Sequence, residues 1–566
     1  MTQSESPETK MTAEKATDAK VQTVRLVALN LNPRDLSIAL VMLKEHALAD
    51  PQLAARYQIH LHQWMKDYTR LQEAGLVEGL DLDALVEELD PENTDVFGFS
   101  TYIWNHEFMV ALATKLKARN PNAEMLFGGS QAGGYGTKLL QEVPAADYVL
   151  KGEAEYSFRQ FLHARLEGDV EEVPNLFYRK DGVVRSTLPK DAKAAKKMSY
   201  LPSIRDLPMP FRSAEYRAYL DNLDEPVTAQ FETERGCPLS CAFCSWGTRL
   251  PIRRRSQADV EEGLTYLLEH PNVRAVYVVD ANPFIKNEKG LWLSEFLLNK
   301  NKTGKPVFFE LNPEYVKDPR VIENLGRLQG DEMAFGVQST SDATLKRIKR
   351  KFNREVYERN VRRLRELNPN ANIKFSLILG LPSDTYETFL TSLDFVIGMV
   401  PADIYVHDLL ILPGSEMYSS PEEFGIRITD TPPHRLVENE TFPWDDYNRA
   451  KLVGYYAKLV HKVPWLRDEL LKLAKDEGVR PVDLYANYVS FLQEKGVDAL
   501  NGQAVSEVSS EEFDFRSQSF TSKHANVEEL KWLFWQFRGS LGRSRQTQDN
   551  EKAQVCTAEE LSYATA

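Results

Sequence analysis

The sequence has little cysteine, no long apolar run and no excess of positive charge. Four cysteines among 566 residues exclude a disulfide-stabilised fold, because three of them form an odd cluster that cannot pair fully. No apolar run approaches the ~20 residues that span a bilayer, so we predict no transmembrane helix. The formal net charge of −14 argues against a nucleic-acid partner, since phosphate neutralisation requires a basic surface.

The first residues also lack the apolar segment of a secretory leader. Residues 1–20 are polar and are predicted to form a disordered tail. We therefore expect a cytoplasmic protein, in a reducing compartment where free thiolates persist. A hydrophobic content of 42% predicts sizeable cores, and the length predicts roughly three to four domains.

Two basic runs depart from the acidic average of the chain. Residues 253–255 read "RRR", and residues 346–351 read "KRIKRK". We interpret both runs as solvated faces at helix ends.

Residues 21–165 alternate short apolar runs with amphipathic stretches. The predicted strands cover 24–30, 57–64, 95–100, 123–129 and 146–152, and the predicted helices include 35–48 and 106–118. Strands separated by helices predict a doubly wound, Rossmann-like parallel sheet covered on both faces. Such sheets bind ligands beyond the carboxyl ends of their strands, where the strand order reverses.

Three loops occupy that position in the predicted sheet. They read "NLNPRD" after the first strand, "STYIWN" after the third and "GGSQAGG" after the fourth. Gly128 and Gly129 would let the backbone approach a bulky ligand closely, although a turn role for both glycines stays open.

A second alternation of strands and helices follows a hydrophilic connection, 166–226, which we interpret as a linker with a hairpin turn at "RKDG". Residues 227–430 contain six predicted strands, at 228–235, 275–282, 306–313, 332–339, 373–382 and 403–413. Six β/α repeats without a doubly wound break predict an open, partial (β/α)6 barrel, whose working residues lie at the C-terminal strand ends. Residues 431–566 are predicted to form a mainly helical region that caps the barrel and sets substrate specificity.

The three clustered cysteines, Cys237, Cys241 and Cys244, follow the first barrel strand in a C-x₃-C-x₂-C pattern. Buried core thiols and a zinc site are two interpretations of this pattern. Zinc would need a fourth ligand, but the only other cysteine, Cys556, lies far away in a polar tail, and no short C-x₂-C or H-x₃₋₅-H spacing follows. Three thiolates without a fourth fit a cubic iron–sulfur cluster that leaves one iron open.

This loop, with Phe243 before its last cysteine, resembles the cluster-binding signature of the radical S-adenosylmethionine (SAM) enzymes. The segments "FGVQSTSDATLKRIKRK", "LILGLPSDTYETFLTSLDF" and "LLILPGSEMY" are similar to the fourth, fifth and sixth strand regions of that family. The stretches "FGFSTYIWN", "LFGGSQAGG" and "YVLKGEAEYSF" resemble the cobalamin-binding domain of one large subgroup. Taken together, the two domains that these segments mark resemble those of a cobalamin-dependent radical SAM enzyme.

The resemblance implies three cofactors: a 4Fe–4S cluster, SAM and cobalamin. It implies that the three thiolates hold the cluster and that SAM chelates the open iron, where one electron releases a 5′-deoxyadenosyl radical. The candidate SAM contacts at strand ends are Asp280, Asn282, Glu310, Gln338, Ser339 and Gly380, with Pro382 beside the last. The sequence "DANPF" replaces the family's usual glycine–glycine–glutamate pattern after the second strand.

The cobalamin domain departs from the pattern in which a D-x-H-x-x-G histidine ligates cobalt, because its first loop reads "LNPRDLS". Cobalamin is therefore expected to bind base-off without a protein imidazole, with Arg34, Trp104 or Asn105 covering its lower face. His46 and His106 lie on predicted helices and are expected to have structural roles. The candidate cobalamin contacts are Asn32, Arg34, Ser100, Tyr102, Trp104, Asn105, Gly128, Gly129, Gly152 and Glu153.

The activity implied by the resemblance is methylation of an unactivated carbon in a small-molecule or peptide-derived substrate. Methylcobalamin would supply the methyl group after the 5′-deoxyadenosyl radical has abstracted hydrogen. Rearrangement or cyclisation without methyl transfer is the alternative, and a non-catalytic protein that binds cobalamin and a cluster is a third. The expected protein partner is a low-potential electron donor of the flavodoxin or ferredoxin type, and neither nucleic acid nor membrane is expected.

Overall fold

The structure, a computed structural model, describes residues 20–30, 36–65, 81–246, 250–328, 330, 332–462, 464–494 and 534–541. The chain divides into two compact units, Met1–Val227 and Thr228–Ala566. No helix in these described ranges is long and apolar enough to cross a membrane.

The first unit contains a seven-stranded sheet with the order β2-β1-β3-β4-β5-β6-β7. Strands β1 to β5 pair in parallel, whereas β6 and β7 continue the sheet in antiparallel fashion. The strands are β1 (Gln22–Asn30), β2 (Tyr57–Met65), β3 (Val96–Ser100), β4 (Glu124–Gly128), β5 (Tyr148–Leu150), β6 (Leu176–Lys180) and β7 (Val183–Ser186). The order 2-1-3-4-5 reverses between β1 and β3, which confirms the doubly wound fold and places its switch point there.

Burial on both faces explains why these strands are apolar. Val24 and every residue from Leu26 to Leu29 in β1 are buried, as are Val96, Phe97 and Phe99 in β3, which is the pattern of a parallel sheet covered by helices. The helices of this unit are Ile38–Leu48, Pro51–Arg56, Leu82–Glu88, His106–Arg119, Gly129–Tyr135, Thr137–Glu142, Glu155–Glu167, Ala192–Met198 and Ala214–Asp221, with 3₁₀ turns at Pro91–Asn93 and Pro210–Arg212.

The prediction of a linker over 166–226 is wrong, because much of this segment folds onto the first sheet. Strands β6 and β7 form a hairpin at the predicted "RKDG" turn, where Asp181 and Gly182 have positive φ. Further on, Lys44 pairs with Glu215 at 2.6 Å. The strand pattern was hidden because β7 is a four-residue edge strand whose residues are mostly exposed.

The second unit contains a six-stranded sheet with the order β15-β14-β13-β12-β11-β8. The strands are β8 (Val227–Phe231), β11 (Val273–Val278), β12 (Val307–Leu311), β13 (Glu332–Gln338), β14 (Asn372–Leu379) and β15 (Asp403–Asp408). Strands β11 to β15 pair in parallel, each with its successor in the chain. Because the order never reverses, the open (β/α)6 arrangement is confirmed, and each strand overlaps its predicted range.

Alternating burial distinguishes the two faces of this sheet. Residues of β13 and β14 alternate between buried and half-buried, so one face packs against the helices and the other is partly open. The helices are Gln257–Glu269, Asn287–Lys300, Pro319–Arg327, Asp342–Arg347, Arg354–Leu367, Tyr386–Gly398, Glu416–Ser419, Trp444–Lys462, Pro464–Glu477 and Pro481–Glu494, with 3₁₀ turns at Pro313–Tyr315 and Pro421–Phe424.

Short elements complete the second unit. Strands β9 (Glu234–Arg235) and β10 (Arg253–Arg254) form a two-stranded antiparallel ribbon, and β16 (Ile426–Ile428) pairs with β17 (Leu436–Asn439). Residues 534–541 are also helical, which agrees with the predicted helical C-terminal region over its described part. The predicted tail over 1–19 and Cys556 lie outside the described residues.

Candidate functional site

The cysteine loop is fastened at both ends by the β9–β10 ribbon, in which Arg235 pairs with Arg253. Inside the ribbon, the Leu250 amide donates to the Cys237 carbonyl at 3.1 Å. Gly236 has φ of 97°, and a Cβ there would lie 2.3 Å from the Pro251 carbonyl oxygen. Only glycine fits this position, so the turn into the loop is set by backbone packing.

The three cysteines occupy one tight turn and form no disulfide. The Cys244 amide donates to the Cys241 carbonyl at 3.2 Å, and the Trp246 amide donates to the Cys244 sulfur at 3.3 Å. Burial, together with smaller contributions from the neighbouring Cys244 and Cys241 sulfurs, raises the pKa of the Cys237 thiol to about 11. Neighbouring thiolates in a buried loop repel one another, so a cationic group among them is needed to keep them ionised.

The arrangement suits an iron–sulfur cluster better than a single metal ion. No three His, Cys, Asp or Glu side chains in the described ranges converge closely enough to share one ion. Zinc requires such convergence, because all four of its ligands lie at about 2.0–2.3 Å from one atom. In a 4Fe–4S cube each thiolate bonds a different iron, so the sulfurs stand further apart, and three thiolates leave one iron open.

Arg350 is a site residue that the sequence analysis missed. Its guanidinium is buried, lies 3.9 Å from the Cys241 sulfur and donates to the Asn312 side chain at 3.1 Å and to the Gly336 carbonyl at 2.5 Å. It therefore ties the cysteine loop to the ends of β12 and β13. The expectation of a solvated face over 346–351 is wrong at Arg350.

The other basic run, residues 253–255, is also not a solvated face. Arg253 and Arg255 are buried, and Arg255 pairs with Glu232 at 3.0 Å. Arg254 pairs with the buried Glu234 at 3.2 Å. A buried arginine requires a partner, and these carboxylates come from the strand end that precedes the cysteines.

Asp280, a predicted SAM contact, forms all its side-chain hydrogen bonds with groups of the protein itself. It is 1% exposed and accepts from the Thr233 amide at 2.8 Å, the Glu234 amide at 3.0 Å and Lys289 at 2.9 Å. Lys289 also pairs with Glu234 at 3.0 Å. Asp280 therefore anchors the chain where it enters the cysteine loop.

Asn282 and Gln338 differ from Asp280, because each has a buried polar atom without a hydrogen-bond partner among the described residues. These atoms are the Asn282 side-chain nitrogen and the Gln338 side-chain oxygen. Gln338 has φ of 70° and follows an irregularity in the β13–β14 register, which re-aims its side chain. Both side chains have an unused donor or acceptor with which to contact a bound ligand.

Two carboxylates lie in β12 and in the 3₁₀ turn that follows it. Glu310, a predicted SAM contact, accepts a long bond of 3.4 Å from the Tyr277 hydroxyl. Both carboxyl oxygens of Glu314 are buried without a partner among the described residues, and burial raises the pKa of Glu314 while Arg350 opposes the rise. Sequence reasoning missed Glu314, because its neighbours come from distant segments.

Ser339 and Gly380 are engaged in local structure. The Ser339 hydroxyl accepts from the Ser341 amide at 3.2 Å. Gly380 has φ of 86°, and a Cβ there would lie 2.8 Å from the Tyr447 ring. The structure thus gives both residues, and the turn that leads to Pro382, a packing role that needs no ligand.

In the first unit, Ser100 and Gly128 are register partners at the carboxyl ends of β3 and β4. A Cβ on Gly128 would meet nothing within 4 Å, whereas a Cβ on Gly129 would lie 2.4 Å from the Thr101 carbonyl oxygen. Gly129, with φ of 91°, is therefore required by the turn. Gly128 leaves open space where the switch-point fold binds its ligands.

Asn105 clamps the switch point. Its side-chain nitrogen donates to the carbonyls of Leu29 and Ser100, both at 3.1 Å, and its oxygen accepts from the Tyr102 amide at 2.7 Å. The Tyr102 and Trp104 rings stack in parallel at 4.5 Å, and the Trp104 indole nitrogen has no partner among the described residues. An aromatic pair therefore lies on the loop at which cobalamin is expected.

Gly152 and Glu153 are held by a neighbouring main-chain segment. A Cβ on Gly152 would lie 2.0 Å from the Ser199 carbonyl oxygen, and Glu153 accepts from the Leu201 amide at 2.8 Å. His106 meets the Tyr135 ring edge-on at 5.3 Å, and burial lowers the pKa of His46. The predicted contacts Asn32 and Arg34 lie outside the described residues.

Two domain families match the chain. Residues 70–162 match the B12 binding domain, and residues 232–396 match the Radical SAM superfamily. Their order agrees with the two units of the structure, and the second match contains the cysteine loop. The chain therefore contains the two domains that the resemblance to cobalamin-dependent radical SAM enzymes predicted, in the predicted order.

Two relatives share similar levels of identity with this chain. The 2-(S-pantetheinyl)-carbapenam-3-carboxylate methyltransferase of Streptantibioticus cattleyicolor is 27% identical over 448 residues, which are 76% of this chain and 61% of that protein. The cobalamin-dependent radical SAM methyltransferase TokK of Streptomyces tokunonensis is 27% identical over 464 residues, which are 78% and 63% of the two chains. The chain thus spans about three fifths of the length of these relatives.

A solved structure shares the fold over a larger part of the chain. The cobalamin-dependent S-adenosylmethionine radical enzyme OxsB, with aqua-cobalamin bound, superposes with a TM-score of 0.61. The match covers 100% of this chain and 86% of that one at 13% sequence identity. At this identity the similarity concerns the fold.

Proposed function

We propose that this protein is a methyltransferase that binds a 4Fe–4S cluster, SAM and cobalamin and methylates an unactivated carbon. The observation that carries the proposal is the fastened three-cysteine turn, with no fourth ligand among the described residues, in a chain that also has a B12-binding domain. When bound, these groups supply an electron for the cleavage of SAM and a carrier for the methyl group.

The residues of this chain would divide the work as follows. Cys237, Cys241 and Cys244 would hold the cluster, and Arg350 would keep Cys241 in place through its contact at 3.9 Å. The unused side-chain donor of Asn282 would be available to SAM.

Gln338 would offer SAM an acceptor, since its side-chain oxygen is buried without a partner among the described residues. In the first unit, the stacked rings of Tyr102 and Trp104 would cover the lower face of cobalamin without ligating cobalt.

The substrate class is a small molecule or a peptide-derived compound. The names of both relatives describe methyltransferases, and one of them names a carbapenam carboxylate as its substrate. We expect a low-potential electron donor as a protein partner, a cytoplasmic location, and neither nucleic acid nor membrane as a partner, in line with the net charge of −14.

The products derived from SAM test this proposal. Methyl transfer through a substrate radical should yield one S-adenosylhomocysteine and one 5′-deoxyadenosine for each methylated product. The measurement is anaerobic turnover of the reconstituted protein with labelled SAM and candidate extracts, followed by mass spectrometry. S-Adenosylhomocysteine without 5′-deoxyadenosine would replace the radical route with polar methyl transfer.

A rearrangement or cyclisation with cobalamin as an auxiliary is the second candidate. Product turnover with 5′-deoxyadenosine but no stoichiometric S-adenosylhomocysteine would establish it. A non-catalytic carrier would bind the cluster and leave SAM intact.

A further inference from the structure

The basic run at 346–351 has two sides with different surroundings. Ile348 and Arg350 face inward: the Ile348 carbonyl accepts from the Ala242 amide at 2.9 Å, and Arg350 contacts the Cys241 sulfur. The other four side chains, Lys346, Arg347, Lys349 and Lys351, are exposed. We call these four residues the basic rim.

Much of the positive charge of the basic rim is uncompensated. Lys346 and Lys351 form no ion pair with any residue in the described ranges. Lys349 pairs with Glu416, and Arg347 donates to the main-chain carbonyl of Glu423. In a chain with a net charge of −14, the rim is a local positive field beside the cysteine loop.

The rim also lies on a short route to the proposed cluster. The Ala242–Ile348 hydrogen bond joins the residue after Cys241 to the residue before Lys349. The Ser240 hydroxyl approaches the Lys349 carbonyl at 3.5 Å, which adds a second contact between the two segments. Electron transfer weakens steeply with distance, so a donor bound at the rim would be well placed to reduce a cluster held by Cys241.

We propose that the basic rim is the docking surface of a negatively charged, low-potential, one-electron carrier protein. This inference rests on the proposed function, since it requires a cluster at the three cysteines. The carrier would lose one electron and the cluster would gain it, with no bond made or broken. Opposite charges would speed the encounter and orient the carrier.

A nucleic acid is the less suitable occupant of the same surface. Tight phosphate binding uses about 6–10 contacts, whereas the rim offers four cations, two of which already have partners within the chain. A carrier needs only a small, transient interface, and such encounters bury little surface.

The test compares two charge reversals of equal size in the reconstituted holoenzyme. Lys346→Glu with Lys351→Glu changes the rim. Lys300→Glu with Lys302→Glu is the matched control, because these exposed lysines lie at the C-terminal end of helix Asn287–Lys300, just before β12 begins, whereas the cysteine loop follows the carboxyl end of a strand. Stopped-flow absorbance follows reduction of the cluster by a flavodoxin hydroquinone, with dithionite as the small donor.

We expect the rim variant to be reduced by flavodoxin about tenfold more slowly at low ionic strength, with a flatter salt dependence. The control variant should match the wild type, and dithionite should reduce all three proteins equally. Carbodiimide cross-linking should join Lys346 or Lys351 to carboxylates of the flavodoxin, as read by peptide mass spectrometry.

Equal flavodoxin rates in all three cluster-loaded proteins would overturn the docking surface and leave the proposed function standing. Cross-links confined to other lysines would also overturn it, as would rim-dependent binding of a tRNA pool without any effect on flavodoxin. A wild-type protein that loads no cluster would instead overturn the proposed function itself, and the docking surface with it.

Discussion

The two parallel sheets of this protein place polar residues at equivalent positions, beyond the carboxyl ends of their strands, and use them in two ways. The Asp280 carboxylate in the second unit and the Asn105 side-chain amide in the first use all their polar atoms in hydrogen bonds with the main chain and neighbouring side chains. Asn282 and Trp104, each close by in sequence, have a buried nitrogen without a partner among the described residues. We call the first kind fasteners and the second kind available residues.

The comparison shows that position at a strand end does not by itself make a residue a ligand. A loop that holds a cofactor must first be held itself, and buried backbone amides need acceptors. The fasteners meet that need. The available residues are recognised only once the hydrogen bonds of the fasteners have been assigned.

The largest expected effect is at the cysteines. Cys241→Ala should abolish both the 4Fe–4S cluster and SAM cleavage, because two thiolates cannot replace three. Iron and sulfide content and the visible absorbance of the anaerobically reconstituted protein measure the first effect. Cys556→Ser is the control and should keep a full cluster; stoichiometric zinc in the wild type, with no iron absorbance, would contradict this assignment.

The next effect separates a fastener from an available residue in the second unit. Asp280→Asn should lower the free energy of unfolding by about 3 kcal/mol, because it removes the charge that the buried Lys289 pairs with. Asn282→Ala should cost less stability, about 1 kcal/mol for the Phe284 amide that loses its acceptor at 3.2 Å, and should weaken SAM binding in the cluster-loaded protein.

Tryptophan fluorescence during urea unfolding and calorimetric titration of SAM read the two effects. Glu269→Gln, at an exposed helix end, is the control and should change the unfolding free energy by less than about 0.5 kcal/mol. The distinction between fasteners and available residues would be wrong if Asn282→Ala were the more destabilised variant and Asp280→Asn were deficient only in SAM binding.

A third prediction applies the distinction to the first unit. Bound cob(II)alamin should give a base-off paramagnetic spectrum without nitrogen hyperfine splitting. Trp104→Ala should change that spectrum by admitting water to the lower face, whereas Asn105→Ala should mainly reduce stability, by about 1–3 kcal/mol for its unpaired partners. Nitrogen hyperfine splitting in the wild-type spectrum would indicate a histidine as the axial ligand. An unchanged spectrum of Trp104→Ala would show that Trp104 is an ordinary core residue that does not cover cobalamin.

The smallest effect concerns a buried carboxyl after β14. Burial raises the pKa of Asp384 from 3.8 to about 6. The folded state therefore binds this proton more tightly than the unfolded state, and ionising Asp384 costs stability progressively between pH 4 and pH 6. The free energy of unfolding of Asp384→Asn, taken relative to that of the wild type, should therefore be about 2 kcal/mol higher at pH 7.5 than at pH 4.5.

Urea midpoints at the two pH values measure this difference. Asp206→Asn, at an exposed site in the first unit, is the control. Its urea midpoint should differ from that of the wild type by the same amount at both pH values. A constant offset for Asp384→Asn across the pH range would show that its carboxyl does not titrate in this window.

The sequence predicted the strands of both sheets well, because parallel strands buried on one or both faces carry apolar runs that are hard to mistake. It missed β6 and β7, although it placed the turn between them, since both strands are short and the edge strand Val183–Ser186 is mostly exposed. It missed Arg350, whose burial depends on partners at Cys241, Asn312 and Gly336, three segments that only the fold brings together.

The same limit explains the mixed outcome at the candidate contacts. Gly129 and Gly152 look alike as glycines after strands, but a neighbouring carbonyl group, at Thr101 and Ser199 respectively, makes each a requirement of packing. Nothing in the local sequence reveals these long-range contacts. Gly128 stands beside Gly129 in the chain and has open space around it.

The fastening of the cysteine loop has a consequence for how the protein matures. The ribbon at Glu234–Arg235 and Arg253–Arg254 and the hydrogen bonds of Ala242 with Ile348 and Met417 are made by main-chain atoms, none of which is a metal ligand. Because these bonds do not involve the thiols, we expect the main chain of the loop to keep its course when the cluster is absent, unlike a zinc finger, whose fold depends on its ion. Folding of the polypeptide could then precede insertion of the cluster, which cellular machinery for cluster assembly would deliver.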